Sequence, residues 1–392
     1  MTRNFRILTL TTPMAFVLLF AAVAVRSAAT RAATDEWIMY VGTYTRAPSK
    51  GIYAYRYPSA GGAPTSIGLV AETENPSFLA IHPNQRFLYA VNEIAQYEGQ
   101  PAGSVSAFSI DRATGALKLL NRVSSRGGGP CHVSIDRSGK WLFVANYGGG
   151  SVAAFPVQPD GSLGAASAFF QHAGSSANPQ RQSGPHGHEA VVAPDNRAVL
   201  VADLGLDQIM TYRLDPAKGG LAPGNPPFVK VAAGSGPRHL AFRPDGKFVY
   251  ALSEILSKVL AFRYDARRGT LQELQTLSSL PDGFSGSNST AEIAVHPNAP
   301  FVYASNRGHD SIAIFRIDPA KGTLAPVGHV STQGKTPRNF AVDPTGGHLL
   351  AANQNSDTIV DFRIDQKTGG LTPTGTVLQA PSPVCVVFAK GR

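Results

Sequence analysis

Gly236-Pro237-Arg238-His239-Leu240-Ala241-Phe242-Arg243-Pro244-Asp245-Gly246-Lys247-Phe248-Val249-Tyr250-Ala251-Leu252 is the clearest copy of a unit that recurs along the chain. It reads as a short strand, a tight turn and a second strand. The turn carries Pro244 at its second position and Asp245 next, the chemistry of a type I turn. The mark that opens the unit returns at Asn75-Pro76, Gly129-Pro130, Gly184-Pro185, Ser289-Thr290, Thr336-Pro337 and Ser382-Pro383. Successive marks lie 54, 55, 52, 53, 47 and 46 residues apart. A period of about 50 residues is the range of propeller blades.

Each unit continues into a third apolar strand, as in Ser311-Ile312-Ala313-Ile314-Phe315-Arg316-Ile317, and then a second recurrent turn. That turn runs from an Asp to a Gly at Asp111 to Gly115, Asp265 to Gly269, Asp318 to Gly322 and Asp365 to Gly369, each followed closely by a Leu. Short strands punctuated by turns predict an all-β chain. The two ends predict closure. Trp37 to Thr43 matches the second strand of a unit, and Pro383 to Phe388 matches the first. Together they make one blade. The expected fold is therefore a seven-bladed β-propeller with four antiparallel strands per blade, closed by the C-terminal strand pairing with the N-terminal strands. Closure removes the open edges of a stack of sheets.

Composition agrees. Charged residues are 16% of the 392-residue chain, and Gly (40) and Pro (29) are abundant without dominating. This excludes a coiled coil, a collagen-like repeat and a disordered polyelectrolyte. The net charge of +9 includes Arg3, Arg6, Arg26 and Arg31, with no acid before residue 34. No Lys/Arg stripe runs through the rest, so nucleic acid is not an expected partner. Arg3 and Arg6 precede an apolar run from Ile7 to Val25, and Ser27 to Ala33 offers small-residue cleavage sites. This is the layout of a secretory signal peptide. We expect residues 1–33 to be a signal peptide and 34–392 the propeller domain, exported to the periplasm or secreted. No stable membrane association is expected after cleavage, and a monomer is expected. The only cysteines, Cys131 and Cys385, share one phase of the repeat in different units and read as two buried free thiols.

In a propeller the start of each innermost strand and the end of its neighbour share one face of the disc. The strand starts bring Ser77, His132, His186 and His188, Arg238 and His239, Glu292 and Arg338 to that face. The neighbouring strand ends bring Glu93, Tyr147, Asp203, Glu254, Asn306 and Arg307, and Asn353. The other face offers mainly turn residues. Two arginines near a channel mouth require an anionic partner. Glu254 answers that either as a structural ion pair or as part of an anion-binding site. His82 and His296 precede Pro-Asn turns and read as structural. No nucleophile elbow, phosphate loop or zinc motif is present, so neither a metal nor a cofactor is expected.

Tyr40-Val41-Gly42-Thr43-Tyr44-Thr45, Gly236 to Lys247 and Ser305-Asn306-Arg307-Gly308-His309-Asp310-Ser311-Ile312 resemble the seven-bladed propeller lactonase family, which includes bacterial 6-phosphogluconolactonase and fungal carboxy-muconate lactonizing enzyme. The resemblance spans roughly residues 37–390. It implies a catalytic set of His188, Arg238, Glu254 and Arg307, with Glu254 or His188 as general base. His186, His132, His239, Asp203, Asn306, Asn353 and Arg338 are the further substrate-binding candidates. The implied activity is hydrolysis of a sugar-derived, anionic small-molecule lactone without a metal. A phosphosugar lactone is a cytosolic metabolite, whereas this chain carries an export signal, so the lactone stays open. The alternatives are a non-catalytic periplasmic propeller binding a ligand or protein, and a muconate-type cycloisomerase.

Overall fold

The computed structural model describes residues 1–2, 36–58 and 63–392; residues 3–33 of the expected signal peptide lie outside the described residues. Seven four-stranded antiparallel sheets form the seven blades. The innermost strands are Pro383–Lys390, Leu79–Ile81, Pro130–Ile135, Gly187–Val192, Pro237–Phe242, Ser289–Val295 and Pro337–Val342. The split blade is as expected. Pro383–Lys390 pairs antiparallel with Glu36–Thr43, from Trp37 opposite Lys390 to Thr43 opposite Pro383. Outside the strands, the one helical turn among the described residues is the 3-10 segment Pro216–Lys218.

Period-two alternation explains how blades pack. Phe248–Ser253, the second strand of its blade, is buried along its whole length. Val249 and Ala251 pack into a core with Leu200 and Ala202 of the preceding blade. Phe248, Tyr250 and Leu252 point the other way, onto Ile293, Val302 and Phe315 of the next. A strand covered on both faces reads as a continuous apolar run, which is why these segments look hydrophobic throughout.

Polar staples fix the spacing between blades. The Tyr40, Tyr89, Tyr250 and Tyr303 hydroxyls each donate to a glycine carbonyl, Gly115, Gly161, Gly322 and Gly369, at 3.1 Å. Three of these glycines close the recurrent Asp turns. In each, the Asp side chain accepts main-chain N–H groups two and three residues on, and the Asp carbonyl takes the glycine N–H. The turn is thus both a chain reversal and a docking point. His82 and His296 hold the glycine carbonyls of Gly139 and Gly346, at 3.1 and 2.7 Å, the structural role expected. Both cysteines are buried and free.

Candidate active site

Six innermost strands carry a register irregularity just after their opening mark, Pro383–Lys390 at Val384 among them. Pro130 pairs with Asn146 and His132 with Ala145, leaving Cys131 unpaired. In the same way His188 stands out between Gly187 and Glu189, and Arg338 between Pro337 and Asn339. Arg238 and His239 do so between Pro237 and Leu240, and Ala291 and Glu292 between Thr290 and Ile293. A bulge re-aims a side chain that strict alternation would send elsewhere. Proline without an N–H suits a strand start beside such an irregularity. Here the device turns Cys131, His188, Arg238, His239, Glu292 and Arg338 into the channel.

The result is a cavity of about 410 Å³ lined by Tyr44, Glu93, Cys131, Tyr147, Arg181, His188, Glu254, Ser289, Arg307 and Arg338. A more apolar groove of about 730 Å³ runs past Trp141 and Pro159, without this convergence of charge. At the centre of the channel-mouth cavity is Glu254. Arg181 Nη2 lies 2.6 Å from its Oε1. Arg238 Nε and Arg307 Nη2 lie 2.9 and 3.2 Å from its Oε2. His188 Nε2 stands 4.0 Å from the same oxygen and has no closer polar partner among the described residues. Arg238 is only 2% exposed and sits behind Glu254, donating to the Ala291 carbonyl. Arg307 donates to the Thr290 carbonyl at 2.8 Å. On the opposite wall Arg338 donates to the Tyr44 hydroxyl (2.8 Å), which donates to Glu93 (2.9 Å).

Four arginines therefore face two carboxylates. Burial alone would raise the Glu254 pKa, but Arg307, Arg238 and Arg181 outweigh it and hold it at about 2. Burial, reinforced by Arg238, holds His188 well below the ordinary histidine range, so its imidazole is neutral at pH 7. Burial lowers Arg307 to about 9 against the opposing pull of Glu254, with smaller contributions from the neighbouring Arg238 and Arg338 charges. The Cys131 thiol is pushed far up by burial and stays protonated.

Beneath the cavity the channel narrows to a void of about 10 Å³ touched by Ser77, Phe78, Arg238, His239 and Glu292. His132 Nε2 is 3.4 Å from Glu189, and His239 Nδ1 is 3.0 Å from Glu292. Burial raises Glu189 to about 8 and lowers His132 to about 3, and it raises Glu292 to about 7 while lowering His239. Burial thus disfavours the charged form of all four groups.

Of the residues singled out from sequence, His188, Glu254, Arg307 and Arg338 line one cavity, with Arg238 directly behind. His132 and His239 lie below it. His186 stacks on Tyr147 (4.5 Å between rings), and its Nδ1 meets the Tyr147 carbonyl. Asp203, Asn306 and Asn353 are fully buried and off the cavity. Asp203 accepts the N–H groups of His186, Gly205 and Leu206 and pairs with His172. Asn306 and Asn353 donate to the Ser279 and Thr332 carbonyls of the incoming connections. Arg181, Tyr44, Glu93, Tyr147 and Ser289 are cavity residues that the sequence reading did not select. Glu93 and Tyr147 sit at strand ends it had marked, whereas Arg181 lies in the connection between the strands Ala168–Gln171 and Gly187–Val192.

Fold and cavity together define a closed seven-bladed propeller with an arginine-rich, anion-attracting site at one mouth of its channel. The chain belongs to the seven-bladed β-propeller lactonase family, whose model matches residues 38–388. It is 39% identical over 307 residues to a 6-phosphogluconolactonase of Bacillus subtilis, covering 78% of this chain and 84% of that protein. A 6-phosphogluconolactonase of Formosa agariphila is 37% identical, over 77% of this chain and 85% of that one. The solved periplasmic gluconolactonase of Pseudomonas aeruginosa superposes with a TM-score of 0.85 at 36% identity, covering 90% of this chain and 99% of that one.

Proposed function

We propose that this protein is an exported lactonase that hydrolyses a sugar-derived lactone to its hydroxy acid at the channel mouth. The observation that carries this reading is a neutral histidine facing a cavity with surplus positive charge, beside a carboxylate held ionised by three arginines. His188 Nε2 takes the proton of a water as its oxygen attacks the lactone carbonyl. The carbonyl oxygen gains negative charge, which Arg307 and Arg338 on the cavity wall stabilise. The ring C–O bond then breaks, and the proton on His188 passes to the departing ring oxygen.

Glu254 is a poor proton acceptor because arginines occupy both of its oxygens, whereas His188 Nε2 is free of hydrogen bonds among the described residues. Its part is to hold Arg307 in place and to offset the imidazolium formed on His188. Arg238 acts from behind, through Glu254. Relatives named 6-phosphogluconolactonase and a periplasmic gluconolactonase support a gluconolactone-type substrate, and the latter fits the expected export. Addition of the protein to δ-gluconolactone is expected to raise ring opening above the spontaneous rate, with or without a chelator. His188→Gln should return it close to that rate. Saturable binding without turnover would instead make the protein a ligand-binding propeller.

A further inference from the structure

Arg181 differs from the other arginines of the cavity. Its side chain is 41% exposed, against 2% for Arg238 and 14% for Arg307. Arg238 and Arg307 are tied to the main-chain carbonyls of Ala291 and Thr290. Arg181 spends only Nη2, on Glu254 Oε1 at 2.6 Å and on the Tyr147 hydroxyl at 3.4 Å. Among the described residues its remaining guanidinium donors meet no acceptor, and they stand at the mouth.

The segment that carries it is built to present it. At one end His172 is clamped by Asp203 (2.6 Å) and the Tyr212 hydroxyl (3.0 Å). Gln182, the next residue after Arg181, is fully buried and donates to the Leu204 carbonyl and to Asp207, both at 2.8 Å. The Asn178 side chain accepts the Arg181 N–H at 3.1 Å. The root of Arg181 is thus fixed while its tip is held by one carboxylate oxygen. Among the described residues no other cation is paired with that oxygen, since Arg238 and Arg307 both use Oε2. Across the cavity Arg338 is engaged by the Tyr44 hydroxyl and offset by Glu93, whereas Arg181 keeps guanidinium donors for a second negative group.

We propose that Arg181 is a specificity-determining residue that leaves Glu254 to bind a second, anionic group of the lactone, a phosphate ester or a carboxylate remote from the ring carbonyl. This rests on the lactonase reading and adds to it the residue that reads the remote oxyanion of the substrate. A guanidinium fork with unused donors is suited to either group. A lost charge-assisted hydrogen bond of ordinary strength reduces affinity roughly tenfold to a hundredfold.

The test compares the parent with Arg181→Ala and Arg181→Lys on 6-phosphogluconolactone, glucarolactone and δ-gluconolactone. In parallel, calorimetric affinities are measured for the products 6-phosphogluconate, glucarate and gluconate. The parent should prefer one charged lactone over the neutral one. Arg181→Ala should lower that preference at least tenfold in kcat/KM and in product affinity, and Arg181→Lys should restore part of it. Which charged probe shows the loss identifies phosphate or carboxylate. An unchanged preference, with all three substrates falling equally, would overturn the proposal and leave Arg181 a support for Glu254. If the parent opens none of the lactones, the lactonase reading fails, and the product affinities alone still decide the role of Arg181.

Discussion

Replacing Arg307 by Met removes a cation that the fold tolerates at a cost. Burial lowers its pKa from 12.5 to about 9 even with Glu254 beside it. At about 1.36 kcal/mol for each step of one in pKa, the charged form is disfavoured by about 5 kcal/mol. An arginine stays charged regardless, so the folded state carries that penalty. Met removes it and fills similar volume, but it strands the Thr290 carbonyl, which Arg307 now satisfies at 2.8 Å. A stranded buried acceptor costs about 1–3 kcal/mol. Glu254 keeps Arg181 and Arg238. Arg307→Met should therefore unfold no more easily than the parent, and by this order-of-magnitude arithmetic about 2–4 kcal/mol less easily. Removal of a donor to the oxyanion should still reduce kcat/KM about 10²–10³-fold. Urea unfolding and lactone-opening rates on the same preparation check both halves. A fall in stability in step with activity would refute the reasoning and make Arg307 part of a structural ion pair. Stabilisation at the expense of activity is the expected signature of a site that stores unfavourable charge for its substrate.

Other expectations follow from the same geometry. Because His188 is held well below 6.5 and Glu254 at about 2, kcat/KM should stay flat as pH falls from 7.5 to about 5.5; an acid limb centred near 6.5 in the pH-rate profile would contradict this. Glu292, raised to about 7 and bonded to His239 and Asn339, should accept Gln with little loss, whereas Glu292→Ala should cost about 1–3 kcal/mol by urea unfolding. The sign for Glu292 itself is that of a raised acid: its contribution to stability is full below pH 4.5 and declines as pH rises toward about 7. Asn306→Ala should cost about 1–3 kcal/mol in stability and leave KM unchanged, because its amide serves the Ser279 carbonyl.

The fold was legible because it repeats. The X-Pro marks, the Asp-to-Gly turns and the divided terminal blade each have a structural counterpart in the strand starts, the Tyr-to-glycine staples and the pairing of Glu36–Thr43 with Pro383–Lys390. The site was legible where the sequence departs from its own repeat. Asn ends the second strand in four blades, at Asn92, Asn146, Asn306 and Asn353, and in each the amide donates to the connection that brings the chain in. A residue type shared by so many blades serves the fold, which is why Asn306 and Asn353 are absent from the cavity wall. Glu254 and Arg307 follow that position in single blades, and both reach the cavity. Bulges decided the rest. Plain alternation does not tell His186 from His188, but the irregularity at Gly187–Glu189 sends His188 inward and leaves His186 stacked on Tyr147. Arg181 had no signal in the repeat, because a connection between blades has no strand position by which to place it.

The most direct test of the central claim is the initial rate of lactone opening by the protein and its Glu254→Gln variant, on δ-gluconolactone and 6-phosphogluconolactone. The account predicts turnover by the parent on at least one of them and its loss in the variant, whose three arginines lose their common anchor. Turnover that survives in Glu254→Gln would place the chemistry elsewhere, and no turnover on either lactone would contradict the assignment of this cavity to gluconolactone hydrolysis.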